Sequence, residues 1–183
     1  GMIDSMFHLH IQYDTGHIKV TAQEYEQKKR LLSLNYPVDG FKGEGISQMQ
    51  SELNSIEGIN KVIPRIKFGA AVSTEDDLVA MMGWGVSPQK EVEFTEVENY
   101  LIEGRMIEKD AKEVVVGTQL LDKVKAEVGN KITLVYTTSW GSFKGITVKV
   151  VGEMESGFKL LDDNVFYIPL GVAQDILVMP DMA

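Results

Sequence analysis

Three consecutive valines, Val114, Val115 and Val116, closed at once by Gly117, constrain this chain more than any other stretch. A continuous β-branched run too short for a helix suits a strand covered on both faces, so structure must be layered on either side of it. The neighbouring residues continue in short elements and tight turns. Thr118 is placed to cap a short helix whose apolar stripe is Leu120, Leu121 and Val124, and Gly129-Asn130 forms a turn able to accept positive φ. Ile132, Leu134 and Tyr136 alternate with Thr133 and Val135, and Ile146, Val148 and Val150 alternate with Thr147 and Lys149. That predicts a hairpin with one buried face and a loop over 137–145. A last strand, 165–168, runs into Pro169 and a helix with Leu170, Val172, Ala173, Ile176 and Leu177 on one side.

Upstream the pattern is looser. Ile3, Met6, Phe7 and the run 9–11 make a helical stripe that Thr15-Gly16 breaks before His17-Ile-Lys-Val20. Residues 25–39 read as an irregular connection. Ile46, Met49, Leu53 and Ile56 fall at three- and four-residue steps, which predicts a helix stopped by Gly58. Residues 62–73 and 78–84 alternate around an acidic turn, Glu75-Asp76-Asp77, and predict a second hairpin. The acidic stretch 91–98 reads as a linker. The fold class expected is α+β, in two units that meet near residue 90.

The 183 residues are 44% hydrophobic and 25% charged, enough for one sizeable core or two small ones. A net charge of −9 argues against sequence-independent nucleic-acid binding and against an anionic membrane surface as the main partner, because both require a basic face. No apolar run reaches the roughly 18 residues needed to span a bilayer, and the N-terminus lacks the regions of a signal peptide, so a soluble piece is expected. Gly1 before Met2 reads as a cleavage scar. Without cysteine there are no disulfides, thiolate nucleophiles or Cys-held zinc.

The order of motifs resembles the extracytoplasmic core domain of ABC-transporter permeases of the lipoprotein-releasing and macrolide-export (FtsX-like) family. The matching pieces are Val116-Gly117, Val128-Gly-Asn-Lys-Ile132, Val150-Val-Gly152, Ser156-Gly-Phe158, Asp162-Asp163, Tyr167-Ile-Pro-Leu170 and Ala173-Gln174. Thr15-Gly-His-Ile18, Pro64-Arg65, Gly85-Val-Ser-Pro88 and Gly104-Arg105 extend the likeness toward the N-terminus. The resemblance implies that residues 1–13 are the outer end of a first transmembrane helix. It further implies that 14–90 are a βαββ part of a split, porter-like unit completed beyond residue 183. Residues 91–170 are then an inserted β-rich unit, and 171–183 a helix and return segment. It implies a domain outside the inner membrane, in a subunit that pairs with a second permease subunit and a separate cytoplasmic ATPase. Such a domain is not an enzyme and holds no cofactor. Its implied work is to couple ATP-driven motion to the export or extraction of lipoprotein, peptide or drug-like cargo. The alternative is a free-standing extracytoplasmic binding module, with a small β-barrel enzyme domain third.

Candidate chemistry in the residues is sparse. His8, His10, His17 and Asp14 are metal-ligand types, but the helical stripe around them would splay the rings. The Gly40–Gly45 stretch and Gly83-Trp84-Gly85 lack phosphate-loop spacing and read as turn glycines. Adjacent carboxylates, Asp162-Asp163 and 75–77, are expected to point to solvent rather than face each other across a substrate. Met81-Met82 fit either an adaptable apolar groove or a small core. Trp140 and Phe143 stand in the predicted hairpin loop, where they either fold back on the sheet or meet a partner. Lipoprotein-releasing relatives use a longer, proline-bounded form of this hairpin to grip a soluble carrier. The loop here is short and has no proline.

Overall fold

Two antiparallel hairpins supply four of the seven strands seen among the described residues. The computed structural model of the chain describes residues 18–25, 32–75 and 77–183. The first hairpin pairs β1 (Arg65–Ser73) with β2 (Leu78–Val86), and Thr74 and Asp77 close its turn by mutual hydrogen bonds. The second pairs β5 (Lys131–Thr137) with the long β6 (Phe143–Met154). Between and after them lie β3 (Leu101–Gly104), β4 (Glu113–Gly117) and β7 (Val165–Pro169).

The strands run in the order β3-β6-β4-β7-β2-β1-β5, and β5 pairs back onto β6. Six strands therefore close on themselves, with β3 attached alongside the C-terminal half of β6. Closure removes most open edges, and the interior face is filled by side chains. Phe68, Leu134, Val148, Val150, Phe166 and Ile168 belong to one buried cluster, and Trp84, Val86, Val115, Val151, Val165 and Tyr167 to another. Val114, Val115 and Val116 are divided between the two, as a strand covered on both faces requires.

Five helices are delimited among the described residues: α1 (Ile46–Asn54), α2 (Pro88–Thr95), α3 (Thr118–Lys123), α4 (Lys159–Asn164) and α5 (Leu170–Leu177), with a 3-10 turn at Val97–Tyr100. The α+β class is as expected. The boundary near residue 90 does not separate two sheets, because β2 pairs in parallel with β7 and β1 pairs with β5.

Several local expectations are corrected. The helix at 2–13, its Thr15-Gly16-His17 exit and the His8, His10, His17 and Asp14 group lie outside the described residues. Residues 18–20 form no strand; Ile18 is 80% exposed and has no ladder partner among the described residues. The helix at 46 stops at Asn54, four residues before Gly58, where the Ser55 hydroxyl donates to the Glu52 carbonyl. The expected linker at 91–98 is mostly α2. Pro88 occupies its first turn, Glu91 sits there as an acid favoured at a helix N-terminus, and Thr95 back-bonds to the Glu91 carbonyl. Thr118 does not cap α3; Gly117 holds that position and the Thr118 hydroxyl donates to Glu153. Gly83 is no turn glycine, since it lies within β2. A Cβ there would stand 2.5 Å from the Phe68 ring, which meets Phe166 edge to face at 5.9 Å.

Candidate functional site

The β5–β6 hairpin ends in a loop of five residues, 138–142, because Thr137 pairs with Phe143. Phe143 thus belongs to the strand and only Trp140 to the loop. Thr138 donates its amide to the Ser142 carbonyl and accepts the Ser142 amide on its hydroxyl, while Gly141 turns with φ 80°. The loop is then tied to the end of α5. The Ser139 amide donates to the Leu177 carbonyl at 3.0 Å and its hydroxyl to the Val178 carbonyl at 3.1 Å. Helix ends leave carbonyls without intrahelical donors, and Ser139 satisfies two of them. Val178, which caps α5, adopts φ 59° and ψ 52°, a conformation a β-branched residue rarely takes.

Trp140 and Phe143 do not fold back. They are 81% and 74% exposed, and Val178 is 50% exposed next to the loop. Thr138, at 6%, occupies the inward position instead, so the anchored turn directs the Trp140 ring outward. The exposed Trp140 ring on a loop fixed by five hydrogen bonds, with the Phe143 ring exposed at the start of β6, is a preordered apolar surface. Sequence reasoning names both rings but misses Ser139 and Val178; the αL cap that joins them is a contact between segments about 40 residues apart.

A second cluster is missed altogether by sequence reasoning. Glu91 is fully buried and takes two hydrogen bonds from the Arg65 guanidinium, at 2.6 and 3.0 Å. The guanidinium lies 5.4 Å from the Trp84 ring and 5.7 Å from Phe94, and the Lys67 ammonium lies 4.1 Å from Trp84. Burial pushes the Glu91 carboxyl up, and the Arg65 charge pulls it partly back. The Tyr167 hydroxyl is buried with no hydrogen-bond partner among the described residues and held well above the ordinary phenol range, first by burial and then by Glu91. This cluster locks α2 to β1; a glutamate read from sequence as part of a linker is its centre.

The remaining candidates are structural. Asp162 is buried rather than solvent-facing and accepts the Ser156 amide at 2.8 Å, the Ser156 hydroxyl at 2.7 Å and the Gly157 amide at 3.0 Å. That explains why Ser156-Gly157-Phe158 and Asp162 occur together. Met81 is in the core, and Met82 accepts the Trp84 indole N–H on its sulfur, so neither lines a groove. A groove of about 890 Å³ does run between α1 and the segments at 18–25 and 33–38, lined by residues such as Tyr36, Met49, Leu53, Ile66 and Phe94. Among the described residues no three His, Cys, Asp or Glu side chains come together to hold a metal, and no helix is long and apolar enough to cross a membrane.

Comparison with known proteins bears on this arrangement. The profile of the MacB-like periplasmic core domain matches residues 3–181. Among solved structures the chain is similar to the extracellular domain of the noncanonic ABC-type transporter YknZ from Gram-positive bacteria, with a TM-score of 0.54 and 12% identity. The match covers 72% of this chain and 66% of that one, about two thirds of its length, and at this identity it speaks for fold alone. No curated protein matches. Since the family profile extends over nearly every residue, this chain belongs to the MacB-like periplasmic core domain family, the extracytoplasmic part of FtsX-like ABC-transporter permeases.

Proposed function

We propose that the domain acts as a mechanical element outside the inner membrane, converting ATP-driven movement of a permease dimer into export or extraction of lipoprotein, peptide or drug-like cargo. The observation that carries this reading is the continuity of the strand ring. Hydrogen bonds run from β1 and β2 through β7 and β4 to β6 and back through β5, and the Arg65–Glu91 pair fastens α2 to the same body. Packed, hydrogen-bonded bodies move as units rather than deforming continuously, so a displacement applied to one part of the ring is delivered to the hairpin tip. ATP is hydrolysed in this reading by a separate cytoplasmic subunit, and a second permease subunit supplies the opposing outer domain.

Trp140 and Phe143 are the part of that body offered to cargo or to an associated protein. The short loop does not serve as a carrier grip; a smaller contact through the two rings is its role. In the full permease, labels on the two outer domains should change separation when ATP is added. Equal separations with and without ATP refute mechanical coupling. Replacing Trp140 and Phe143 together by alanine should lower transport about tenfold while ATP binding persists, the scale expected of an aromatic anchor. Unaltered transport would remove the two rings from the function.

A further inference from the structure

The N-terminal half of β6 has an open edge. Its hydrogen-bonding phase follows from both ends of the ladder to β5. Thr138 donates to Ser142 at one end and Val150 to Asn130 at the other, and Lys149 donates the opposite way, to the Lys112 carbonyl. In an antiparallel pair the residues alternate, so Lys144, Ile146 and Val148 bond to β5 while Phe143, Gly145 and Thr147 turn their amides and carbonyls the other way. β4 pairs with β6 only from Lys149 onward. Among the described residues nothing meets the main chain of Phe143, Gly145 or Thr147 on that side, and all three residues are exposed.

Gly145 adds an independent observation. A Cβ there would meet its nearest neighbours at 3.5 to 3.9 Å, ordinary contact, and its φ lies outside the left-handed region. The fold itself therefore does not require glycine at this position. A bare position on an open strand suits the close approach of another backbone. The surroundings are mostly basic in a chain of net charge −9: Lys131 and Lys149 stand directly opposite one another and Lys112 and Lys144 lie alongside, while the one neighbouring acid, Glu113 beside Lys149 on β4, gives both carboxylate oxygens to Arg105; among the described residues none of the four lysines makes an ion pair within 4 Å. Like charges placed opposite each other across strands are destabilising by themselves.

We propose that this edge, from Phe143 to Thr147, takes an extended, acidic segment of a partner polypeptide as an added strand, with Phe143 and Trp140 flanking it. The inference rests on the reading that the hairpin tip meets a partner, and it names the mode of recognition: main-chain hydrogen bonds supply the seat and lysines the selection. A second copy of this chain is the poorer occupant. Antiparallel self-pairing about Gly145 would set the two Lys144 side chains on adjacent diagonal positions.

Amide exchange tests it, with a short synthetic peptide alternating glutamate and valine as the probe and its lysine–valine counterpart as the control. In the free chain the amides of Gly145 and Thr147 should exchange fast and those of Lys144 and Ile146 slowly. The acidic peptide at millimolar concentration should slow Gly145 and Thr147 by about tenfold, and the basic peptide should not. Gly145→Pro removes an outward-facing N–H and no bond to β5, and it should abolish binding while Lys144 and Ile146 stay protected. Unchanged exchange at Gly145 and Thr147, equal protection by the basic peptide, or full binding to Gly145→Pro overturns the proposal. Unchanged exchange together with lost transport in the Trp140/Phe143 double variant would leave the tip contact standing and remove strand addition. Protection by the acidic peptide with normal transport in that variant would retain the edge and discard the role of the tip.

Discussion

Two bidentate arginine–glutamate pairs in this domain have nearly the same bond lengths and opposite electrostatics. Arg65 meets Glu91 with bonds of 2.6 and 3.0 Å, and Arg105 meets Glu113 with bonds of 2.6 and 2.9 Å. The first pair is enclosed, its side chains 11% and 0% exposed; the second stands at the surface, at 47% and 15%. Burial drives the Glu91 carboxyl up, whereas the hydrogen bonds from Arg105 pull the Glu113 carboxyl down. The same fork therefore opposes desolvation in one place and faces little of it in the other. The buried pair joins residues 26 apart and fixes how a helix sits on the ring, while the exposed pair only ties the end of β3 to the start of β4.

The largest effect is expected from breaking the enclosed pair. Glu91→Ala takes the carboxylate away from an enclosed guanidinium beside Trp84 and Phe94 and should cost about 3–5 kcal/mol in urea denaturation. Glu113→Ala should cost no more than about 1 kcal/mol, since Arg105 returns to water. Equal losses at the two sites would break the comparison. Tyr167→Phe sharpens it from the other side. Removing a hydroxyl that is buried and has no hydrogen-bond partner among the described residues should leave stability unchanged or raise it by about 1 kcal/mol, and a clear loss would show that the hydroxyl has a role the fold needs.

The smallest effect is one of sign with pH. Glu91 holds its proton more tightly in the folded chain than in the unfolded one, so its contribution is fully present below the ordinary value of 4.5 and declines as pH rises toward its folded value. Glu113 holds its proton less tightly when folded, so its contribution is present above 4.5 and is lost as pH falls through its folded value. Stability differences between the parent and its Glu91→Gln and Glu113→Gln variants, followed from about pH 3 to about pH 7, should slope in opposite directions. Slopes of the same sign would show that burial does not separate the two pairs.

The strands are largely legible in the amino-acid sequence. Val114 to Val116, the alternation along β5 and β6, and the run into Pro169 each appear as strands where expected, with β6 extending further at both ends. Their signal is local, a period of two or an unbroken β-branched run. What the sequence hides depends on partners outside the element itself. The stretch around Glu91 looks like a linker because its acids suggest solvent, and only Arg65 on β1 explains why one of them is inside. Asp162 reads as a solvent-facing acid because its three donors come from a loop that folds back over α4. Trp140 fits two readings in sequence; the anchor that turns it outward is Ser139 on the end of α5, a feature with no sequence period.

By itself, then, the sequence determined the strand segments, the turns between them, the α+β class and the family pattern along the chain, because backbone preference and side-chain alternation act over a few residues. Tertiary structure alone decided that the strands on both sides of residue 90 close into one ring. It also decided that Glu91 and Asp162 are buried acids and that Trp140 and Phe143 face outward beside an open edge of β6. Those outcomes depend on the free energy of taking charges and rings out of water, and that is set by what packs around them rather than by what precedes them in the chain.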